Sequence, residues 1–248
     1  MERYSRQLLV KGIGTSGQKR LEQSRVLLVG CGGLGTNIAN IMVRAGVGFI
    51  RIIDKDIVEI SNLQRQGLYS EEDVIEGLPK AAAAYRALRS INSEVEIDAV
   101  VEELNAGNMD KYMKNMDIVM DGTDNFETRF LLNRACVKRK VPWIHGGVVA
   151  ASGVVKSFVP GEGACLECIY PQLPDQGKFP TTKTAGILGT LTSIVGSIQS
   201  NEAIKYLTGN KDRMMEGMLY LDIWNNTFEE IRVTKRADCR CCAEVSGV

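Results

Sequence analysis

The chain has 248 residues, 44% of them hydrophobic, and its 30 basic and 30 acidic side chains cancel. Length and apolar content support one large α/β domain or two small ones and argue against disorder. With no net field, nothing global attracts nucleic acid or a membrane surface, and neither is expected as a partner. The opening MERYSRQLLVKG is charged throughout and lacks an apolar signal core, so a cytoplasmic location is expected. The mildly apolar run 185–207 is broken by polar residues between Thr190 and Lys205 and reads as a buried helix, too polar for a membrane span.

Residues 2–24 read as a polar helical arm with Leu8, Leu9 and Ile13 on its apolar face, interrupted at Gly12, Gly14 and Gly17 and resuming over 18–23. So thin an apolar face should dock against something. Arg3 and Arg6 could reach a phosphate there or stay solvated. A buried strand over 26–29 then runs into Gly30, Cys31, Gly32, Gly33, Leu34 and Gly35, followed by a helix over 37–45 and a strand over 49–53 that ends in Asp54. The order strand, G-x-G-x-x-G, helix, strand, acid predicts a nucleotide cradle. Gly30 makes the tight turn, Gly32 lets a phosphate approach, and Gly35 allows the helix to pack on the strand. Free N–H groups at the helix start attract phosphate, and Asp54 is placed for ribose hydroxyls. NAD and ATP both satisfy this pattern.

The stretch 55–80 carries little regular structure beyond a short helix near 71–74, and long loops in compact domains tend to be functional. It presents Arg65 and Lys80 where the first two βαβ turns converge. Two cations there would neutralise a triphosphate, or be ordinary exposed loop charges. Pro79 opens a strongly helical run over 80–91. A strand over 95–101, a short helix over 106–114 and a buried strand over 117–120 follow, the last ending in Asp121, Gly122, Thr123, Asp124 and Asn125. Ligands bind at the carboxyl ends of strands in open α/β sheets, which puts Asp121 and Asp124 on the edge of the glycine turn. Thr123 or Asp124 could equally cap the helix over 125–140. His145, the one histidine, ends a strand over 143–145 and suits a hydrogen-bonded structural role better than acid–base chemistry. Alternating strands over 153–160, 218–223 and 228–233 predict an antiparallel extension of the parallel sheet, with a loop over 170–184 and a helix over 187–207 between them.

Seven cysteines in a chain without a signal sequence favour metal or redox chemistry over structural disulfides. Cys165-Leu-Glu-Cys168 and Cys239-Arg-Cys241-Cys242 form two C-x-x-C pairs, each suited to one edge of a tetrahedral four-cysteine zinc site if strands approach like a hairpin. A dithiol redox pair and inert buried thiols are the rivals. Four ligands leave Cys241 over, pointing away from the metal, and a site filled by protein is structural.

These motifs line up in order with ERYSRQ, SNLQRQ, GLPK, DGTDN and AGILGTLTSIVGSIQSNEAIKYL, and together the chain resembles the MoeB/ThiF family of adenylyltransferases, relatives of the ubiquitin-activating enzymes. The resemblance covers nearly the whole chain. It implies a single adenylating domain over 1–248: a helical arm (1–24), a nucleotide-binding half (25–150) and a carrier-binding half with the zinc site (151–248). The fold implied is a Rossmann-like, doubly wound, mostly parallel sheet extended by antiparallel strands. It further implies a homodimer that binds ATP and Mg²⁺ and adenylates the Gly-Gly tail of a small ubiquitin-like sulfur-carrier protein, releasing pyrophosphate. Carried over by position, Gly33 lies in the phosphate loop, Asp54 binds ribose, and Ser61, Asn62, Leu63, Gln64, Arg65 and Lys80 contact nucleotide. Asp124, with Asn125 beside it, positions Mg²⁺ and the reacting groups, Arg6 reaches into the partner subunit's site, and Cys165, Cys168, Cys239 and Cys242 hold Zn²⁺. The chain departs from the pattern at Thr182, where many relatives carry an acyl-accepting cysteine. The alternatives are an NAD-dependent oxidoreductase, which rests on the glycine motif and Asp54, and a zinc-stabilised binding module without catalysis.

Overall fold

The computed structural model describes residues 2–175, 177 and 180–243; positions 176, 178 and 179 of the expected 170–184 loop, and 244–248 of the expected second half, lie outside the described residues. In chain order the elements are α1 (Gly14–Gln23), β1 (Arg25–Val29), α2 (Gly33–Ala45), β2 (Phe49–Ile53), α3 (Glu71–Ile75), α4 (Lys80–Ile91) and β3 (Glu96–Val100). There follow α5 (Met109–Met113), β4 (Ile118–Asp121), α6 (Phe126–Arg139), β5 (Trp143–Val149), β6 (Ser152–Phe158), α7 (Leu166–Ile169), α8 (Thr182–Ala185), α9 (Gly189–Leu207), β7 (Met218–Asp222) and β8 (Thr227–Ile231).

The strands form one eight-stranded sheet in the order β3-β2-β1-β4-β5-β6-β7-β8. β1 runs parallel to both β2 and β4, while β5 through β8 pair antiparallel, so the expected extension is present. β1 reads as a continuous apolar run because both of its faces are covered. Val26 and Leu28 join a core that includes Ile38, Leu88 and Val195; Leu27 and Val29 join a second core with Tyr112, Leu132 and Trp143.

Glycines account for most of the differences from expectation. α1 begins at Gly14 and passes through Gly17, where a Cβ would sit 3.3 Å from Thr208. β5 continues past His145 to Val149 because Gly146 lies under the Gln199 side chain, where a Cβ would come within 2.4 Å. In both places a residue that reads as a breaker is a site of close approach between elements. The arm differs too. Leu9 is 75% exposed, and the docked side chain is Tyr4, whose hydroxyl accepts from Asn92 Nδ2 at 2.9 Å. Arg3 donates to Ile91 O at 3.0 Å, at the carboxyl end of α4.

Among the described residues no helix is long and apolar enough to cross a membrane.

Candidate active site and metal centre

The β1–α2 turn is built by contact with the end of β4. Gly30 sits at φ +84°, and a Cβ there would lie 2.7 Å from Gly122 O; one at Gly35 would lie 2.0 Å from Gly30 O. Gly32 has only Gln66 Nε2 nearby, 3.7 Å from its Cβ position, which leaves room for a phosphate. The α2 N-cap is Gly32 with no side-chain cap, so the first-turn N–H groups stay available to an anion. Cys31 N–H donates to Asp54 Oδ2 at 2.6 Å and Asp56 N–H to Asp54 Oδ1 at 2.8 Å, which fixes the acid at the end of β2. Burial pushes the Asp54 carboxyl above its ordinary range. Burial also pushes the Cys31 thiol up to about 12, and so Cys31 is a loop filler rather than a nucleophile.

Arg65 stands beside this turn, its Cδ 3.6 Å from the Gly33 Cβ position, with Nη1 donating to Ser61 O at 2.9 Å. Lys80 is 8% exposed and its ammonium meets Asp56 Oδ2 at 2.8 Å. Asn62 is buried and accepts Glu59 N–H at 3.2 Å, so it holds the loop; Ser61 and Gln64 are exposed and Leu63 half-buried. Arg6 is exposed and its side chain makes no hydrogen bond or ion pair among the described residues. Sequence reasoning missed Gln66, a buried amide beside Gly32 whose Oε1 lacks a partner. Its position next to Arg65 was the available signal.

The two aspartates at the β4 end have different roles. Asp121 is fully buried: Thr123 N and Oγ1 donate to Oδ1 at 2.9 and 2.6 Å, and His145 Nδ1 and Arg129 Nε lie 2.7 and 3.3 Å from Oδ2. Burial alone would raise its pKa, but the Arg129 charge and the bonds from His145 and Thr123 outweigh it and hold the carboxyl below its usual range. Burial lowers His145 against the pull of Asp121, so the ring is neutral at pH 7 with Nδ1–H donating to the carboxylate. His145 is therefore structural, as its sequence context suggested. Asp124 is exposed and has no hydrogen-bond or ion-pair partner among the described residues. Neither Thr123 nor Asp124 caps α6; Asn125 does, accepting Thr128 N–H at 2.9 Å.

The four expected cysteines meet. Cys165, Cys168, Cys239 and Cys242 are buried with their sulfurs all within 4.8 Å of one another, the closest pairs at 3.5 and 3.6 Å. Tetrahedral Zn–S bonds place sulfurs about 3.8 Å apart, so the set fits a metal ion. No hairpin brings them together: α7 carries the first pair, and the turn after β8 the second. Arg236 N–H donates to Cys168 Sγ at 3.4 Å, an outer bond typical of metal thiolates. Cys241 stands outside the four, its sulfur taking Asn133 Nδ2 at 3.2 Å. Asn133 also accepts Leu166 N–H at 3.0 Å, which ties α6 to the cysteine lobe.

A groove of about 1410 Å³, walled by Lys156, Glu202 and Arg213, lies beside β6, α9 and β7, and no residue of the glycine turn lines it. It lies away from the glycine turn, and cavity size does not locate the chemistry.

The ThiF family profile matches residues 4–242. The sulfur carrier protein ThiS adenylyltransferase of Bacillus subtilis is 43% identical over 97% of this chain and 71% of its own length. The SAMP-activating enzyme E1 of Haloferax volcanii is 37% identical over 98% and 89%. Against the adenylyltransferase and sulfurtransferase MOCS3 of Drosophila persimilis, 40% identical, the chain spans just over half, 53%, of the longer protein. The crystal structure of E. coli MccB with ATP superposes with a TM-score of 0.85 at 25% identity, over 98% of this chain and 74% of that one. With the glycine turn, the cations and the cysteine quartet in place, the chain belongs to the ThiF family and is an adenylyltransferase of the ubiquitin-activating-like class.

Proposed function

We propose that the protein uses ATP and Mg²⁺ to adenylate the C-terminal carboxylate of a small ubiquitin-like sulfur-carrier protein ending in Gly-Gly. The observation that carries this reading is that Asp54 and Arg65 stand at one glycine turn, and that Asp124, without a side-chain partner among the described residues, follows the Gly122–Thr123 segment packed on that turn. The carrier carboxylate attacks the α-phosphorus, a new C–O–P link forms, and pyrophosphate departs. Such a transfer needs in-line positioning and charge neutralisation more than proton chemistry. A carboxylate is already ionised at pH 7, so a chain whose one histidine is locked on Asp121 lacks nothing for the step.

In this reading Asp54 takes the ribose hydroxyls, while Ser61, Leu63, Gln64 and the loop held by Asn62 line the nucleotide. Arg65 and Lys80 neutralise the phosphates. Mg²⁺, held by Asp124, would draw charge from the phosphate oxygens. Arg6 acts across a homodimer, in the partner subunit's site, and its exposure leaves it free to do so. Zn²⁺ fills the cysteine quartet and is structural, since four thiolates leave no open position. The arm (1–24), the nucleotide half (25–150) and the carrier half (151–248) are one working unit. Only the glycine turn and Asp54 would favour a dinucleotide.

The test is to mix purified protein with candidate Gly-Gly-ending carriers and ATP, and to weigh the products. A carrier that gains the mass of one AMP, with pyrophosphate exchange into ATP, is the expected result; a carrier that binds and stays unmodified overturns it.

Thr182 adds a prediction. It opens α8 just ahead of the Gly186–Leu188 segment and offers a hydroxyl where a thiol would be needed. A hydroxyl without an adjacent base is not a nucleophile at neutral pH. The reaction should stop at the adenylate. A thiol-sensitive covalent adduct with the carrier on a gel would contradict this.

A further inference from the structure

We propose that Asp56, outside the residues given a role above, is a positioning residue for nucleotidyl transfer. It holds the Lys80 ammonium at the phosphate site and couples it to the ribose acid. The inference rests on the reading of Lys80 as a phosphate cation.

Three bonds converge on Asp56. Its N–H donates to Asp54 Oδ1 at 2.8 Å, its carbonyl accepts Lys80 N–H at 2.8 Å, and its Oδ2 takes Lys80 Nζ at 2.8 Å. An antiparallel bridge between Ile57 and Pro79 locks the two segments together. The ribose acid, Asp56 and the phosphate cation thus form one connected unit across the mouth of the parallel strands. A lysine needs such a holder: its four-carbon stem is flexible and its ammonium is a point charge without the fixed geometry of an arginine fork. The ion pair is asymmetric in a useful way. The Lys80 side chain is 10% exposed and that of Asp56 is 56% exposed, so the carboxylate stays hydrated while it orients a nearly buried cation. An ammonium has three donors, and one spent on Asp56 leaves two for phosphate oxygens.

Charge neutralisation during transfer depends on donors being in place beforehand, because a group that must reorganise at the moment of reaction loses most of its effect. Loosening Lys80 should therefore lower turnover more than nucleotide affinity. Asp56→Ala is expected to reduce kcat for ATP–pyrophosphate exchange by about 10- to 100-fold with a smaller change in KM for ATP. Asp56→Asn, which keeps an acceptor oxygen, should recover part of the loss. Thermal melting of both variants should match the parent, since the side chain is on the surface.

The deciding measurement is a double-mutant cycle. If Asp56 acts through Lys80, Asp56→Ala costs little or nothing further in a Lys80→Ala background. A full additional loss in that background, or Asp56→Ala exchanging within about twofold of the parent, overturns the proposal. If Lys80→Ala itself exchanges like the parent, the assignment of Lys80 to the phosphates falls, and this inference falls with it. A defect in Lys80→Ala alone, with none in Asp56→Ala, would leave that assignment standing and remove only Asp56.

Discussion

Replacing Asp124 with alanine is expected to lower ATP–pyrophosphate exchange by at least about 100-fold while leaving the melting temperature unchanged. The β4 end carries two acids, and among the described residues only Asp124 is without a side-chain partner. Asp121 is enclosed by Thr123, Arg129 and His145, and Asn125 caps α6. Neither job passes to Asp124, so its removal leaves the turn standing. On the proposed reading the change would remove the anchor for Mg²⁺ and for the reacting groups, and losses of this electrostatic kind run to about 3–4 kcal/mol in the barrier. Asp121→Ala should behave oppositely: stranding Arg129 in a buried pocket should lower the yield of folded protein. Exchange retained in Asp124→Ala, to within a few-fold, would mean that the metal and substrate lie elsewhere.

The second large effect concerns the cysteine quartet. Stripping the metal with a strong chelator, or replacing Cys168 with serine, should lower the melting temperature by about 10 °C or more, a loss of several kcal/mol. The lobe has little else to hold it. Among the described residues, Val137 and Ala164 are the buried apolar side chains clustered with the four thiols, with Val233 partly buried against them, a small surface on which to fasten the chain beyond β8. Metal analysis should find one zinc per chain in the parent and almost none in Cys168→Ser. Cys241→Ser should keep its zinc, because its sulfur, though it neighbours Cys165 and accepts from Asn133, is not one of the four that cluster. Equal melting with and without metal would show that the cluster is not structural.

Much of this was legible in the sequence because the signals are local. The glycine turn declares itself by spacing, and α4 begins at Lys80 as Pro79 indicates. The C-x-x-C pairs name their four ligands without revealing the helix that carries the first pair. What stayed hidden depends on partners far along the chain. Nothing near Gly146 announces that Gln199 will press on it, so the strand appeared to stop at His145. Nothing near Asp121 distinguishes it from Asp124 until Arg129 and His145 arrive to claim one of them. Nothing in the sequence singles out Asp56, since its partner is brought back by the Ile57–Pro79 bridge. Tyr4 went unremarked because its pocket is assembled from Asn92 and Gly46.

The unbroken sheet has a consequence for how the reaction is kept dry. Because β4, β5 and β6 share one ladder of hydrogen bonds, the parallel and antiparallel portions cannot swing towards each other like two jaws. A mixed anhydride formed at an open rim would be exposed to hydrolysis. On the proposed reaction the shield would then have to be brought by the visitor: the body of the protein being activated, seated over its own tail, would bar solvent from the bond just made.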